Sequence, residues 1–236
     1  MKPEQTLAWM NDGTAKLLTD VAALPDEALT APSALPGWTR RYLLAHVAAN
    51  AEALRNLVYW ARTGEERRMY ASSEQRDAGI ATGARLPAAE LRAWIRSSAD
   101  ALAADLDSMP GPAWDAKVIT AQGLTRSAGE IPWMRVREVY IHAIDLNAGT
   151  QWTDLPAQFL TALLDDVTAR RSSKALSSEG AGPALAVAAT DTGRAWQVTG
   201  TGAAIPVSAP LADLAAYLTG RQTAGLESFP ALPAWL

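Results

Sequence analysis

The chain has 236 residues, 21 of them basic and 25 acidic, for a net charge of −4, with no cysteine and two histidines. Without cysteine there is no disulfide, no thiolate metal site, no iron–sulfur cluster and no cysteine nucleophile. A net-acidic chain with no basic block argues against nucleic-acid binding, and its length suits one large domain or two small ones with a core that needs no staples.

In chain order, residues 4–24 read as a helix with Leu7, Leu17, Leu18, Val21 and Leu24 on one side and Pro25 ending it. The first residues, MKPEQTLAWMNDGTAKLL, mix charge and polarity where a secretory signal needs an apolar run. No apolar stretch reaches the ~18 residues of a spanning helix, so a cytoplasmic protein without membrane contact is expected. The stretch LPDEALTAPSALPGW, with three prolines and a glycine, is a connection. Thr39 can cap a second helix over about 39–62, whose Leu43, Leu44, Val47, Leu54, Leu57 and Val58 recur at helical spacing until Gly64. A short helix fits 73–83, a third long helix 87–108, and an extended run 117–121. Glu130 and Pro132 open a fourth long helix to about 147. Four long helices with polar connections suggest a bundle.

After Gly149 the pattern changes. A helix over about 154–173 precedes two strand-like runs, 184–191 and 195–200, joined at Thr192-Gly193-Arg194 as a hairpin. A third run surrounds Ile205 to Ser208, and Pro210 opens a last helix ending at Gly220. This mixture reads as a small α+β domain, which sets the expected division at 1–150 and 151–236.

The two histidines sit among apolar neighbours, His46 in the second long helix and His142 in the fourth. Glu138 precedes His142 by four residues, so the two side chains lie about 40° apart on one helix face. If the two helices are neighbours, His46 can face that pair. Two imidazoles and a carboxylate form the ligand set of catalytic zinc, and a similar set serves non-haem iron. The plainer alternative is a hydrogen-bonded core histidine and a helix-stabilising Glu–His pair. Burial of Glu138 between Val136, Val139 and Ile141 favours a charged partner or a metal. Asp145, three residues after His142, can orient its ring. Arg135, Arg137 and Arg221 are candidates for carboxylate capture, against a default of solvated surface arginines. Trp38 and Trp133 read as staples at helix ends, and SSEQRD at 72–77 as a solvated segment that could also line a pocket mouth. No glycine-rich phosphate loop or G-x-S-x-G elbow is present.

The runs LPGWTRRYLLAHVAANAEALRNLVYWARTGEERRMY and AWDAKVITAQGLTRSAGEIPWMRVREVYIHAIDLNAG, with the closing YLTGR and PAWL, resemble the mycothiol-dependent maleylpyruvate isomerases over nearly the whole chain. The resemblance implies a DinB-like four-helix bundle followed by a smaller C-terminal α/β domain of sterol-carrier-like kind. It implies zinc ligands at His46 of the AHVA motif and at Glu138 and His142, and an active-site role for Arg221 of the GR motif. It implies a cis–trans isomerase, with zinc and mycothiol, that converts maleylpyruvate to fumarylpyruvate in gentisate-type aromatic catabolism. Mycothiol and a small anionic substrate are then the partners, on a monomer or weak dimer. The alternatives are a mycothiol S-transferase acting on electrophiles, a non-catalytic zinc-binding bundle, and a metal-dependent hydrolase.

Overall fold

The computed structural model describes residues 3–176, 182–221 and 225–233. The chain divides into two compact units, Met1–Thr150 and Gln151–Leu236. Among the described residues no helix is long and apolar enough to cross a membrane.

In the first unit the long helices are α1 (Pro3–Ala23), α2 (Arg40–Thr63), α4 (Ala88–Asp107) and α5 (Ile131–Asp145), with the short α3 (Ser73–Gly83) between α2 and α4. Local sequence sets their ends. Thr39 caps α2 by accepting a hydrogen bond from the Tyr42 N–H, and Gly64 closes it in the left-handed conformation. Arg40 ties the start of α2 to the end of α5, because Nε donates to the Leu146 carbonyl at 2.8 Å and Nη2 to the Asn147 carbonyl at 2.6 Å. These carbonyls have no partner within their own helix, and the guanidinium satisfies them.

Helix α1 packs on α5 and α4, and α2 packs on α4, α5 and α3. Leu17, Val21, Leu43, Leu44, Val47, Leu91, Ile95, Val139 and Leu146 are all buried in one cluster between them. Each such leucine contributes roughly 1.5–3 kcal/mol on leaving water. Two glycines let elements approach closely. A Cβ at Gly13 would lie 2.7 Å from Val139 Cγ2, and one at Gly83 would overlap the Trp94 ring. The expected extended run is β1 (Lys117–Ile119), which pairs antiparallel with β2 (Thr125–Ser127), a partner not anticipated from the pattern.

In the second unit α6 runs Ala157–Leu176, later than the expected 154–173. Trp152–Asp154 form a separate 3-10 turn, closed by reciprocal hydrogen bonds between Gln151 and Asp154. Leu155 is extended because it precedes Pro156, so the helix cannot begin before the proline. Strands β3 (Pro183–Ala189) and β4 (Ala195–Val198) form the expected hairpin, with Gly193 at φ 70° in its turn. Strand β5 (Thr201–Ala209) lies on the other side of β3 and runs parallel to it, for a sheet order β4-β3-β5. Only Thr199 and Gly200 separate β4 from β5, so the chain crosses the start of β3 in one tight step. A Cβ at Gly200 would overlap the backbone of Gly182–Ala184, which is why glycine stands there. Leu185, Val187 and Ala189 face inward, and α6 and α7 (Leu211–Leu218) pack on the strands.

Candidate metal centre

Apolar residues of α2 at helical spacing turn one face into the bundle, and His46 lies on that face beside Leu43 and Val47. Helix α5 packs against it and presents Glu138 and His142 one turn apart. Glu138 Oε2 is 3.0 Å from His46 Nε2 and 3.3 Å from His142 Nε2. One ligand atom from each residue lies within 4.8 Å of the others. Their side chains are only 10%, 21% and 12% exposed, so the cluster is largely shielded from solvent.

The expected partner of His142 is in place, with Asp145 Oδ2 2.9 Å from Nδ1. Burial alone would lower the His142 pKa, but the hydrogen bonds to Asp145 and Glu138 outweigh it and push it up to about 9. Burial lowers that of His46, so this ring is the neutral one. Burial would raise the Glu138 carboxyl, yet hydrogen bonds from His142 and His46 and the charge of the His142 ring hold it well below the usual carboxylate range.

Arg135 is no surface arginine. It is 1% exposed, and Nη1 donates to the Val47 carbonyl at 2.7 Å and to Asn50 Oδ1 at 3.0 Å. Burial lowers its pKa to about 10, against the opposing charge of Glu138, so it stays a cation beneath the cluster. Arg137 stacks over Trp133 at 6.0 Å. Trp38 does more than staple a helix end, because its ring lies edge-on 5.3 Å from the His46 ring.

Arg76 lies in the stretch expected to be solvated or to line a pocket mouth, and the stretch does line one. The SSEQRD segment supplies the cap and first turns of α3, and Arg76 Nη2 lies 3.3 Å from His46 Nδ1. Its surroundings in sequence are polar without period, so no pattern distinguishes it from a solvated arginine. A cavity of about 420 Å³ opens beside it, lined by Arg68, Tyr70, Ser72, Arg76 and Thr120. Arg221, in the second unit, follows α7 and donates from Nη1 to the Thr219 carbonyl at 2.8 Å. Of the closing PAWL motif, the last three residues lie outside the described residues.

The donor set fits a borderline divalent cation such as zinc. It offers two imidazole nitrogens and one carboxylate oxygen, three ligands that leave a position open. The Nε2 atoms face the carboxylate, and Asp145 holds the His142 proton on Nδ1, which leaves Nε2 for a cation once the ring is neutral. A cation at the centre would replace the shared protons that join the three groups in the free protein.

Fold and cluster together define a class: a DinB-like four-helix bundle with an inward His–Glu–His group, joined to a small α/β unit. The family model of the mycothiol maleylpyruvate isomerase N-terminal domain matches residues 10–147. The crystal structure of the mycothiol-dependent maleylpyruvate isomerase is 34% identical, covers 100% of this chain and 98% of that one, and superposes with a TM-score of 0.93. A histidine-to-alanine mutant of the mycothiol-dependent maleylpyruvate isomerase gives 0.92 at the same identity and coverage. YfiT from Bacillus subtilis, a probable metal-dependent hydrolase with an unusual four-helix bundle topology, is 15% identical with a TM-score of 0.52. It covers 61% of this chain and 83% of its own, and shares the fold alone. No curated protein sequence matches the chain. The chain belongs to the mycothiol-dependent maleylpyruvate isomerase family and is an enzyme.

Proposed function

We propose that the chain is a zinc- and mycothiol-dependent cis–trans isomerase that converts maleylpyruvate to fumarylpyruvate in gentisate-type aromatic catabolism in the cytoplasm. The observation that carries this is the convergence of His46, Glu138 and His142 in a chain 34% identical, over its full length, to the mycothiol-dependent maleylpyruvate isomerase. Residues 1–150 are assigned as the metal-binding domain and 151–236 as the α/β domain that contributes Arg221.

A C=C bond does not rotate at a useful rate, so the reaction needs a temporary single bond. An external thiolate adds to the conjugated double bond, and the π pair moves to the carbonyl oxygen as an enolate. The new single bond turns. The enolate then returns its electron pair, the C–S bond breaks and the trans alkene forms. The chain has no cysteine, so it cannot supply this thiolate itself. Zinc, when bound, lowers the pKa of a thiol and polarises a carbonyl oxygen.

The chain's residues do the rest. His46 and His142 offer Nε2 and Glu138 a carboxylate oxygen to the ion. Asp145 keeps the His142 proton on Nδ1 and the ring in place. Arg135 leaves a fixed positive charge below Glu138, which favours an anionic substrate and the developing enolate. Arg221 is assigned to a substrate carboxylate and to the enolate charge.

The test is isomerisation of maleylpyruvate by zinc-loaded protein with and without mycothiol. Fast turnover only with the thiol is expected, and turnover lost in Arg221→Ala with zinc retained. Absence of turnover, with high conjugation of mycothiol to electrophiles, would transfer the assignment to an S-transferase. Thiol-independent hydrolysis would overturn the thiol reading altogether.

A further inference from the structure

We propose that Arg76 is a carboxylate hook that metal binding sets free, and that it takes one carboxylate of a dicarboxylate substrate at the mouth of the adjoining cavity. The inference rests on the zinc-site reading above and assigns a substrate-binding role to a residue outside the cluster.

A guanidinium has only donors. Arg76 Nη2, 3.3 Å from His46 Nδ1, therefore donates to it, and Nδ1 carries the lone pair. The one proton of the neutral ring is then on Nε2, where it is donated to Glu138 Oε2 at 3.0 Å. In that tautomer Nε2 has no lone pair for a cation. Ligation through Nε2 moves the ring proton to Nδ1, where it meets the Arg76 N–H groups, donor against donor. No hydrogen bond can form in that arrangement, and the charge of a bound ion repels the guanidinium as well. Arg76 must turn away.

It does not turn into a vacuum of partners. Nη1 is paired with Asp77 Oδ1 at 2.7 Å, a carboxylate that is 59% exposed and so holds it weakly. The guanidinium lies 5.8 Å from the Tyr70 ring centre, and the cavity of about 420 Å³ beside it adds Arg68, Ser72 and Thr120. Two arginines and several hydroxyls in a cleft next to a cation site suit an oxyanion with its tail toward the metal. A carboxylate accepts from the planar fork in two parallel bonds, which a ring nitrogen cannot do. The metal-free protein thus keeps the hook engaged on His46, and the metal-loaded protein offers it to substrate.

The probe is maleate, a cis-dicarboxylate, titrated into zinc-loaded and metal-free protein while tryptophan fluorescence is followed. Zinc-loaded wild type should bind maleate about tenfold or more tightly than Arg76→Ala, the size of one charge-assisted contact. Arg76→Lys, which keeps the charge and loses the fork, should fall between. Without zinc the three should bind equally weakly. Zinc titration against a competing chelator should show several-fold tighter binding in Arg76→Ala, because the competing contact is gone. Equal maleate affinity in zinc-loaded wild type and Arg76→Ala, or weaker zinc binding by the variant, overturns the hook. If Arg76→Ala does not fold, the lysine variant carries the same comparison. Failure of wild type to isomerise maleylpyruvate, with maleate binding still dependent on Arg76, would sink the isomerase reading and leave the hook standing.

Discussion

His142 lies between two carboxylates, Glu138 at 3.3 Å and Asp145 at 2.9 Å, and this makes the free protein sensitive to pH. Its pKa is raised from 6.5 in the unfolded chain to about 9 in the fold, so folding favours the charged ring. The stability this contributes is fully present below about pH 6.5 and is lost as pH rises through about 9. The melting temperature of metal-free protein should therefore fall across that window, and that of His142→Gln should not. A flat profile for wild type would refute the raised value. In the proposed metal site the same two carboxylates would have separate tasks, Glu138 as ligand and Asp145 behind His142. Asp145→Asn should lower zinc affinity by about 10–100-fold in a competition titration, because an amide aligns and polarises the ring less well than a carboxylate. Wild-type affinity in that variant would remove Asp145 from the site.

At the scale of elements, close approaches carry the argument. The crossing from β4 to β5 passes over the start of β3 with Gly200 against the backbone of Gly182–Ala184. Backbone cannot step aside as a flexible side chain can. Gly200→Ala should therefore destabilise the second unit by about 1–3 kcal/mol, the range for overpacking a tight site, with the loss read by thermal or denaturant unfolding. An unchanged midpoint would mean that the crossing relaxes without loss. The helices of the first unit meet by the same means, Gly13 of α1 against Val139 and Tyr140 of α5, and Gly83 of α3 against Trp94. This second contact holds α3 against the bundle and so delivers Arg76 to His46.

For the whole molecule, the core and the site are separable. The cluster from Leu17 to Leu146 is buried apolar surface that needs no ion. Removal of zinc by a chelator should abolish activity while the far-ultraviolet circular dichroism stays that of a helical bundle; collapse of the helical signal would show that the ion is structural. A bound ion should still raise the melting temperature by mass action, since it binds only the folded chain.

Much of this was legible in one dimension, and for a common reason. Helix ends at Thr39 and Gly64, the hairpin at Gly193, and the pairing of Glu138 with His142 on one face all follow from neighbours within a few residues, whose geometry the backbone repeats. The start of α6 lies three residues beyond the expected one because a capping box and Pro156 make a separate turn of what reads as one helix. Other facts depend on residues far apart in sequence. His46 reaches Glu138 because α2 packs on α5, and Arg135 is a buried cation because Val47 and Asn50 receive it. Strand β5 turns parallel because Gly200 permits a crossing. Arg76 stands in a polar stretch with no periodic signal, yet α3 sets it on a histidine thirty positions earlier. Sequence alone determined most of the elements and the residue types of the candidate cluster, since these are local. Only the tertiary structure decided which charges meet, since burial and distance are properties of the packed chain.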